Sequence, residues 1–150
     1  MTGTVGIGQC STVTLDREPH GIVELIKDLE LYRGKHILIV EDDYLIAEQT
    51  RRELEKLGAS IAGPVPSVEQ AMALIDERPI DAAILDINLD GETVYPLADV
   101  LSERQIPFVF ATGYDASSMP EKYKGFILCE KPTELAVIAV ALFASDRLSH

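Results

Sequence analysis

Three acids, a hydroxyl and a lysine stand at or just beyond the ends of short apolar runs in this chain, and the acids are suited to holding a hard cation. Glu41 and Asp42 follow His36-Ile37-Leu38-Ile39-Val40, and Asp86 follows Asp81-Ala82-Ala83-Ile84-Leu85. Thr112 follows Pro107-Phe108-Val109-Phe110-Ala111, and Lys131 follows the run at 125–129. Carboxylates that converge repel one another unless a cation neutralises them or a proton is shared. A small divalent ion with an octahedral oxygen shell, Mg²⁺, is the natural partner of such a group. Asp42, Asp86 and a nearby main-chain carbonyl would supply part of that shell. Glu41 would join directly or through water, and the Lys131 ammonium would pair with Asp86. One Asp at a strand end is more often a cap or loop residue. It is the combination of Glu-Asp after the first strand, Asp after the third, Thr after the fourth and Lys-Pro after the fifth that argues for a site.

The elements that must position these groups are legible from periodicity. Continuous apolar runs of about five residues suit strands buried on both faces of a parallel sheet. Residues 44–57 read as a helix with Ile46, Thr50, Leu54 and Leu57 on its inner face and Gly58 as the stop. Ser60-Ile61-Ala62 reads as a second strand closed by Gly63-Pro64. Ser67 and Gln70 form a capping box for a helix that turns Ala71, Leu74 and Ile75 inward. Strands at 81–85, 107–111 and 125–129, a helix at 93–104 and a last helix from about Thr133 complete an alternating α/β pattern. That pattern implies a parallel sheet covered by helices, and ligands in such sheets bind beyond the carboxyl ends of the strands.

The sequence resembles the receiver domains of bacterial two-component systems over about residues 35–146. The resemblance rests on Val40-Glu41-Asp42-Asp43, Leu85-Asp86-Ile87-Asn88-Leu89-Asp90-Gly91, Ala111-Thr112-Gly113 and Lys131-Pro132. It implies a flavodoxin-like three-layer sandwich with a five-stranded sheet in the order 2-1-3-4-5. By the same resemblance Asp86 is the phosphoacceptor, Glu41 and Asp42 are the acidic pair, and the Asn88 carbonyl completes the protein's share of the Mg²⁺ shell. Thr112 is the hydroxyl that moves to the phosphoryl group, and Lys131 is the cation that pairs with it. A histidine kinase or histidine phosphotransfer protein is the implied donor, with a further protein downstream. Phe110-Ala111-Thr112-Gly113-Tyr114 is similar to the signature of the FAT-GUY receiver subgroup, which frequently has no attached output domain.

Three features depart from the common pattern. Leu128 stands where most receivers have an aromatic ring, and Tyr114 is the nearest aromatic replacement. The interval from Thr112 to Lys131 is short, so a truncated fourth helix interrupted by Pro120 is expected. Asn88 and Tyr114 flank the expected approach of water and would tune the lifetime of the acyl phosphate.

Composition narrows the alternatives. The chain has 150 residues and a formal charge of −12, and a phosphate-backbone binder needs a basic face, so no direct nucleic-acid binding is expected. No apolar stretch has the length of a membrane span and no secretory signal is visible, which makes the cytoplasm the expected compartment. Cys10 and Cys129 match no metal spacing. A haloacid-dehalogenase-type phosphatase would share the Asp, Mg²⁺, Thr and Lys but needs an acid/base Asp two residues after its nucleophile. That position is Asn88, which cannot transfer the proton. A pseudo-receiver acting without phosphorylation would not need the complete set of site residues. The receiver reading is that of a stoichiometric phosphoacceptor, not an enzyme.

Residues 1–34 read as an extension of unassigned role before the receiver domain at 35–147. Val5, Ile7, Val13 and Leu15 hint at a strand, and Ile22, Leu25, Ile26 and Leu29 at an amphipathic helix. The last helix turns Leu135, Ile138, Ala139 and Leu142 inward and carries Val137, Val140 and Phe143 beyond them. So wide a stripe needs cover. The candidates are the N-terminal helix, a second copy of the chain in a homodimer, or the kinase.

Overall fold

The computed structural model describes residues 21–89, 91–112, 128–130 and 135–148. The expected strand near Val5–Leu15 lies outside them. The elements in chain order are α1 (Gly21–Glu30), β1 (His36–Val40), α2 (Tyr44–Lys56), β2 (Ser60–Val65), α3 (Val68–Glu77), β3 (Ala82–Asp86), β4 (Asn88–Leu89), β5 (Glu92–Thr93), α4 (Tyr95–Glu103), β6 (Phe108–Thr112), β7 (Leu128–Glu130) and α5 (Leu135–Leu148). The main sheet has the strand order β2-β1-β3-β6-β7, which is the flavodoxin-like order expected from the sequence. The pair β4-β5 makes a separate two-stranded ladder.

One compact unit spans Tyr32–Phe108. Its centre is β1, paired in parallel with β2 on one side and β3 on the other. Ile37 to Val40 and all of Ala82–Asp86 are buried, which is why both strands read as unbroken apolar runs. Each Leu or Ile so buried contributes about 1.5–3 kcal/mol. The start of the sheet is tied by His36 and Asp81: the His36 amide donates to Asp81 Oδ2 at 2.7 Å, and Nδ1 of the ring lies 3.1 Å from the same oxygen.

Burial pushes the Asp81 carboxyl up, but the amide and ring of His36 more than reverse this and hold it below its ordinary value. A depressed carboxyl contributes stability above its unfolded pKa of about 3.9 and loses it as pH falls through the folded value. Both side chains are half-exposed, so the contribution is only a few tenths of a kcal/mol. Asp81→Asn should lower stability by that amount near neutral pH. In denaturant titrations the difference from wild type should shrink as pH falls below the unfolded value and vanish once it has passed through the folded one.

Helix α2 ends as a Schellman motif, with Gly58 N–H donating to the Glu55 carbonyl and Ala59 N–H to that of Leu54. Gly58 has φ +97°, and a Cβ there would meet Arg33 at 3.2 Å. The buried face of α2 is Ala47 and Leu54, which corrects the expected face. Ile46 points outward, and Thr50 sits on α2 donating its hydroxyl to the Ile46 carbonyl at 2.9 Å. Arg51 bridges Glu48 and Glu55 at 2.6 and 2.7 Å, so this base adds nothing to a basic face. Ser67 caps α3 through the Gln70 amide, as expected, and its hydroxyl meets the Gln70 side chain. Ala71 and Ile75 are buried there and Leu74 is half-buried.

Strand β2 continues through Gly63-Pro64 instead of stopping before it. The register slips between Leu38 and Val40, which pair with Ala62 and Val65. Three residues of β2 therefore span the distance of two on β1, a bulge that accommodates a Pro with no N–H.

The second unit comprises Met1–Leu31 and Val109–His150. In it β6 pairs in parallel with β7 through Phe110–Leu128, Ala111–Cys129 and Thr112–Glu130. Val137, Ile138, Ala139, Leu142 and Phe143 of α5 are buried, and α1 packs against this helix. The N-terminal helix is thus a cover of the wide apolar stripe. Leu135, expected inside, is half-buried. Among the described residues no helix is long and apolar enough to cross a membrane.

Candidate functional site

The carboxyl ends of β1 and β3 lie side by side because Val40 pairs with Leu85. The next residues, Glu41 and Asp42 on one strand and Asp86 on the other, therefore converge. One carboxylate oxygen from each lies within 4.8 Å of the others. Glu41 and Asp86 are only 8% and 5% exposed, while Asp42 faces solvent.

The backbone around the cluster is held from both sides. Glu41 N–H donates to the Val65 carbonyl at the end of β2. Asp43 caps α2, its Oδ1 accepting from the amides of Leu45 at 3.0 Å and Ile46 at 3.2 Å. The Asp43 amide donates to Glu41 Oε2 at 3.1 Å. Past Asp86, the chain turns through the β4-β5 ladder, in which Asn88 pairs with Thr93 and Leu89 with Glu92. Val94 N–H then donates to the Ile87 carbonyl. This ladder fixes the Asn88 backbone two residues beyond Asp86, and α4 starts only at Tyr95.

The donor set fits a small hard cation. Ligands around one Mg²⁺ at about 2.0–2.1 Å stand roughly 3–4 Å from one another, and modest side-chain rotation brings three oxygens within 4.8 Å to that spacing. Burying two carboxylates beside a third is costly without a counter-charge. All donors are oxygens, which excludes a soft thiolate site.

Of the residues expected at the site, the structure brings together Glu41, Asp42 and Asp86 and places the Asn88 backbone nearby. Thr112 ends β6 as expected. Its side chain, that of Asn88, and Tyr114 and Lys131 lie outside the described residues. Two features of the site were not read from the sequence. One is the β4-β5 ladder, whose Asp90-Gly91 is the turn signal that could have revealed it. The other is the bond from the Asp43 amide to Glu41, which no residue pattern announces.

A parallel sheet in this order with an acidic cluster beyond its first and third strands is the architecture of a receiver. Residues 37–126 match the response regulator receiver domain, and the chain belongs to that family. A relative is the sensory transduction protein LytT of Bacillus cereus, 34% identical over 83 residues, which cover 53% of this chain and 33% of LytT. This chain therefore matches about a third of the length of that curated relative. Among solved structures, SdrG from Sphingomonas melonis Fr1 is 42% identical with a TM-score of 0.64, covering 73% of this chain and 94% of SdrG. The BeF3-activated conformation of SdrG aligns with a TM-score of 0.61. The anti-anti-sigma factor PhyR from Bartonella quintana is 26% identical with a TM-score of 0.65, covering 82% of this chain and 53% of PhyR.

Proposed function

We propose that the chain is a cytoplasmic response regulator switched by transfer of a phosphoryl group from a phosphohistidine to Asp86, with Mg²⁺ in the acidic pocket. The observation that carries this reading is the convergence of the Glu41, Asp42 and Asp86 oxygens beyond adjacent parallel strands. The likeness to SdrG, which has a BeF3-activated conformation, supports it.

In this reading the Asp86 carboxylate is the nucleophile. Its carboxylate oxygen attacks phosphorus, and a P–O bond forms as the P–N bond to the donor imidazole breaks. The imidazole leaves with the P–N electron pair. Asp42, Asp86 and the Asn88 carbonyl would hold the ion, with Glu41 bound directly or through water. A bound Mg²⁺ supplies positive charge that offsets the negative charge on the transferring group. By the family pattern Lys131 pairs with a phosphoryl oxygen and the Thr112 hydroxyl donates to another. Water then cleaves the acyl phosphate, at a rate tuned by Asn88 and Tyr114, and resets the switch. Each chain takes one phosphoryl group per cycle, so it acts as a stoichiometric acceptor and not as an enzyme. Movement of Thr112 would change the surface offered to a downstream protein; residues 114–124, where that change is expected, lie outside the described residues.

A protein donor is supported by the surface beside the pocket. Tyr44, Leu45 and Ile46, the first turn of α2, are 73%, 77% and 38% exposed. The helix buries Ala47 and Leu54 instead, so Tyr44 and Leu45 present most of their surface to solvent, with Ile46 partly exposed beside them. Apolar exposure beside a reactive group is the mark of a contact surface. A kinase or histidine phosphotransfer protein that delivers phosphohistidine to Asp86 would lie against it. Leu45→Ala and Tyr44→Ala should each slow transfer from the phosphorylated donor protein about tenfold, leaving labelling by acetyl phosphate unaffected. Stopped-time autoradiography with both donors checks this. Equal rates from the protein donor in wild type and variants would place the donor elsewhere.

A further inference from the structure

We propose that Asp43, the third acid in Glu41-Asp42-Asp43, is a positioning residue of the metal pocket that acts by aiming the Glu41 carboxylate. The inference rests on the reading of Glu41, Asp42 and Asp86 as the cation-holding cluster. Asp43 itself is exposed, and its side chain is committed elsewhere. Oδ1 accepts two amides of the first turn of α2, and its carbonyl accepts the Ala47 amide at 2.9 Å.

Those three bonds hold the Asp43 backbone at φ −83°, ψ 109°, with its own N–H directed at Glu41 Oε2 at 3.1 Å. The Glu41 main chain is held in turn by the Val65 carbonyl. A Glu side chain has three rotatable bonds, and the amide of Asp43 ties one carboxylate oxygen down. That restricts the carboxylate, one oxygen of which lies within 4.8 Å of the Asp42 and Asp86 oxygens. Loss of a group that orients a ligand in this way typically weakens metal binding about 10–100-fold.

Two properties of Asp43 are separable: the capping oxygen and the negative charge. Asn keeps a capping oxygen and loses the charge, whereas Glu keeps the charge and is a poor cap. Positioning through the cap predicts that Asp43→Asn binds Mg²⁺ within about twofold of wild type, while Asp43→Glu and Asp43→Ala each weaken it about tenfold. It also predicts a specific coupling. In a Glu41→Ala background, where no carboxylate remains to be aimed, Asp43→Ala should weaken Mg²⁺ binding no further.

The measurement is an NMR titration of the full-length chain with Mg²⁺ alone, following amides at 41–46 and 86–88, with circular dichroism to confirm that each variant is folded. Additive losses in the Glu41→Ala, Asp43→Ala double variant would overturn the positioning role. So would a loss in Asp43→Asn equal to that in Asp43→Glu. If instead Asp42→Ala bound Mg²⁺ like wild type, the assignment of the pocket itself would fail, and the role of Asp43 with it.

Discussion

Asp86→Asn is expected to give a folded chain that takes up no phosphoryl group from acetyl phosphate and Mg²⁺. Asparagine has the shape of the aspartate it replaces, so the buried end of β3 need not rearrange, but its neutral amide oxygen is not a nucleophile. By the family pattern Thr112 and Lys131 serve the acid that ends β3, so neither Glu41 nor Asp42 is expected to substitute for it. Removing one of three converging carboxylates should also weaken the ion. At free Mg²⁺ a hundredfold above its Kd, wild type gains about 2.7 kcal/mol of stability from binding. Asp86→Asn at the same concentration should gain much less. Intact-mass measurement reads the adduct, and thermal unfolding with and without Mg²⁺ reads the linkage. Full labelling of the variant would remove Asp86 from its assigned role.

A second large effect is expected at a residue that touches no ligand. Gly63 has φ +95°, and a Cβ there would lie 2.8 Å from the Val65 amide nitrogen and 3.0 Å from the Ile39 carbonyl oxygen. Both obstacles are backbone, so no side chain can swing aside. The conformation alone costs a non-glycine residue about 1–3 kcal/mol, and the contacts add to that. Gly63→Ala should therefore lower stability by at least about 2 kcal/mol, a shift of several degrees in Tm. The damage should reach the pocket, because relief of the clash moves Val65, whose carbonyl holds the Glu41 amide. Weakened Mg²⁺ binding in the folded variant, read by titration, is the expected companion effect. A stability equal to wild type would show that the bulge is not the constraint described.

What could be read from the chain before its structure divides along physical lines. Strands β1 and β3 were legible because burial on both faces leaves an unbroken apolar run. The acids were legible because they end those runs. Family resemblance added the strand order and expected roles for Thr112 and Lys131, whose side chains lie outside the described residues. The face of α2 was misread because Ile46, Thr50, Leu54 and Leu57 fit helical spacing as well as the true Ala47–Leu54 stripe does. Bulk suggested that Ile46 should be inside. Its exposure next to Tyr44 and Leu45 is instead one of the most informative facts about the site. The Gly63-Pro64 pair looked like a strand end, since Pro has no ladder donor, whereas a bulge lets β2 pass through it. The β4-β5 ladder was missed because each of its strands is two residues long, too short for any period. Tyr32 was passed over as part of an unassigned extension, yet it is fully buried in the unit that holds the acidic cluster. Burial pushes its hydroxyl pKa far up, so it stays protonated throughout the physiological range.

The central claim is that one carboxylate of this chain accepts a phosphoryl group in a Mg²⁺-dependent reaction. The most direct test incubates wild type with a phosphorylated histidine donor or acetyl phosphate, with Mg²⁺ or with a chelator. Trapping the acyl phosphate with borohydride and mapping the peptides then locates the modified residue. A single modification at Asp86, abolished by the chelator and discharged by hydroxylamine, is the result expected. Modification at another residue, or undiminished labelling without divalent cation, would contradict the account.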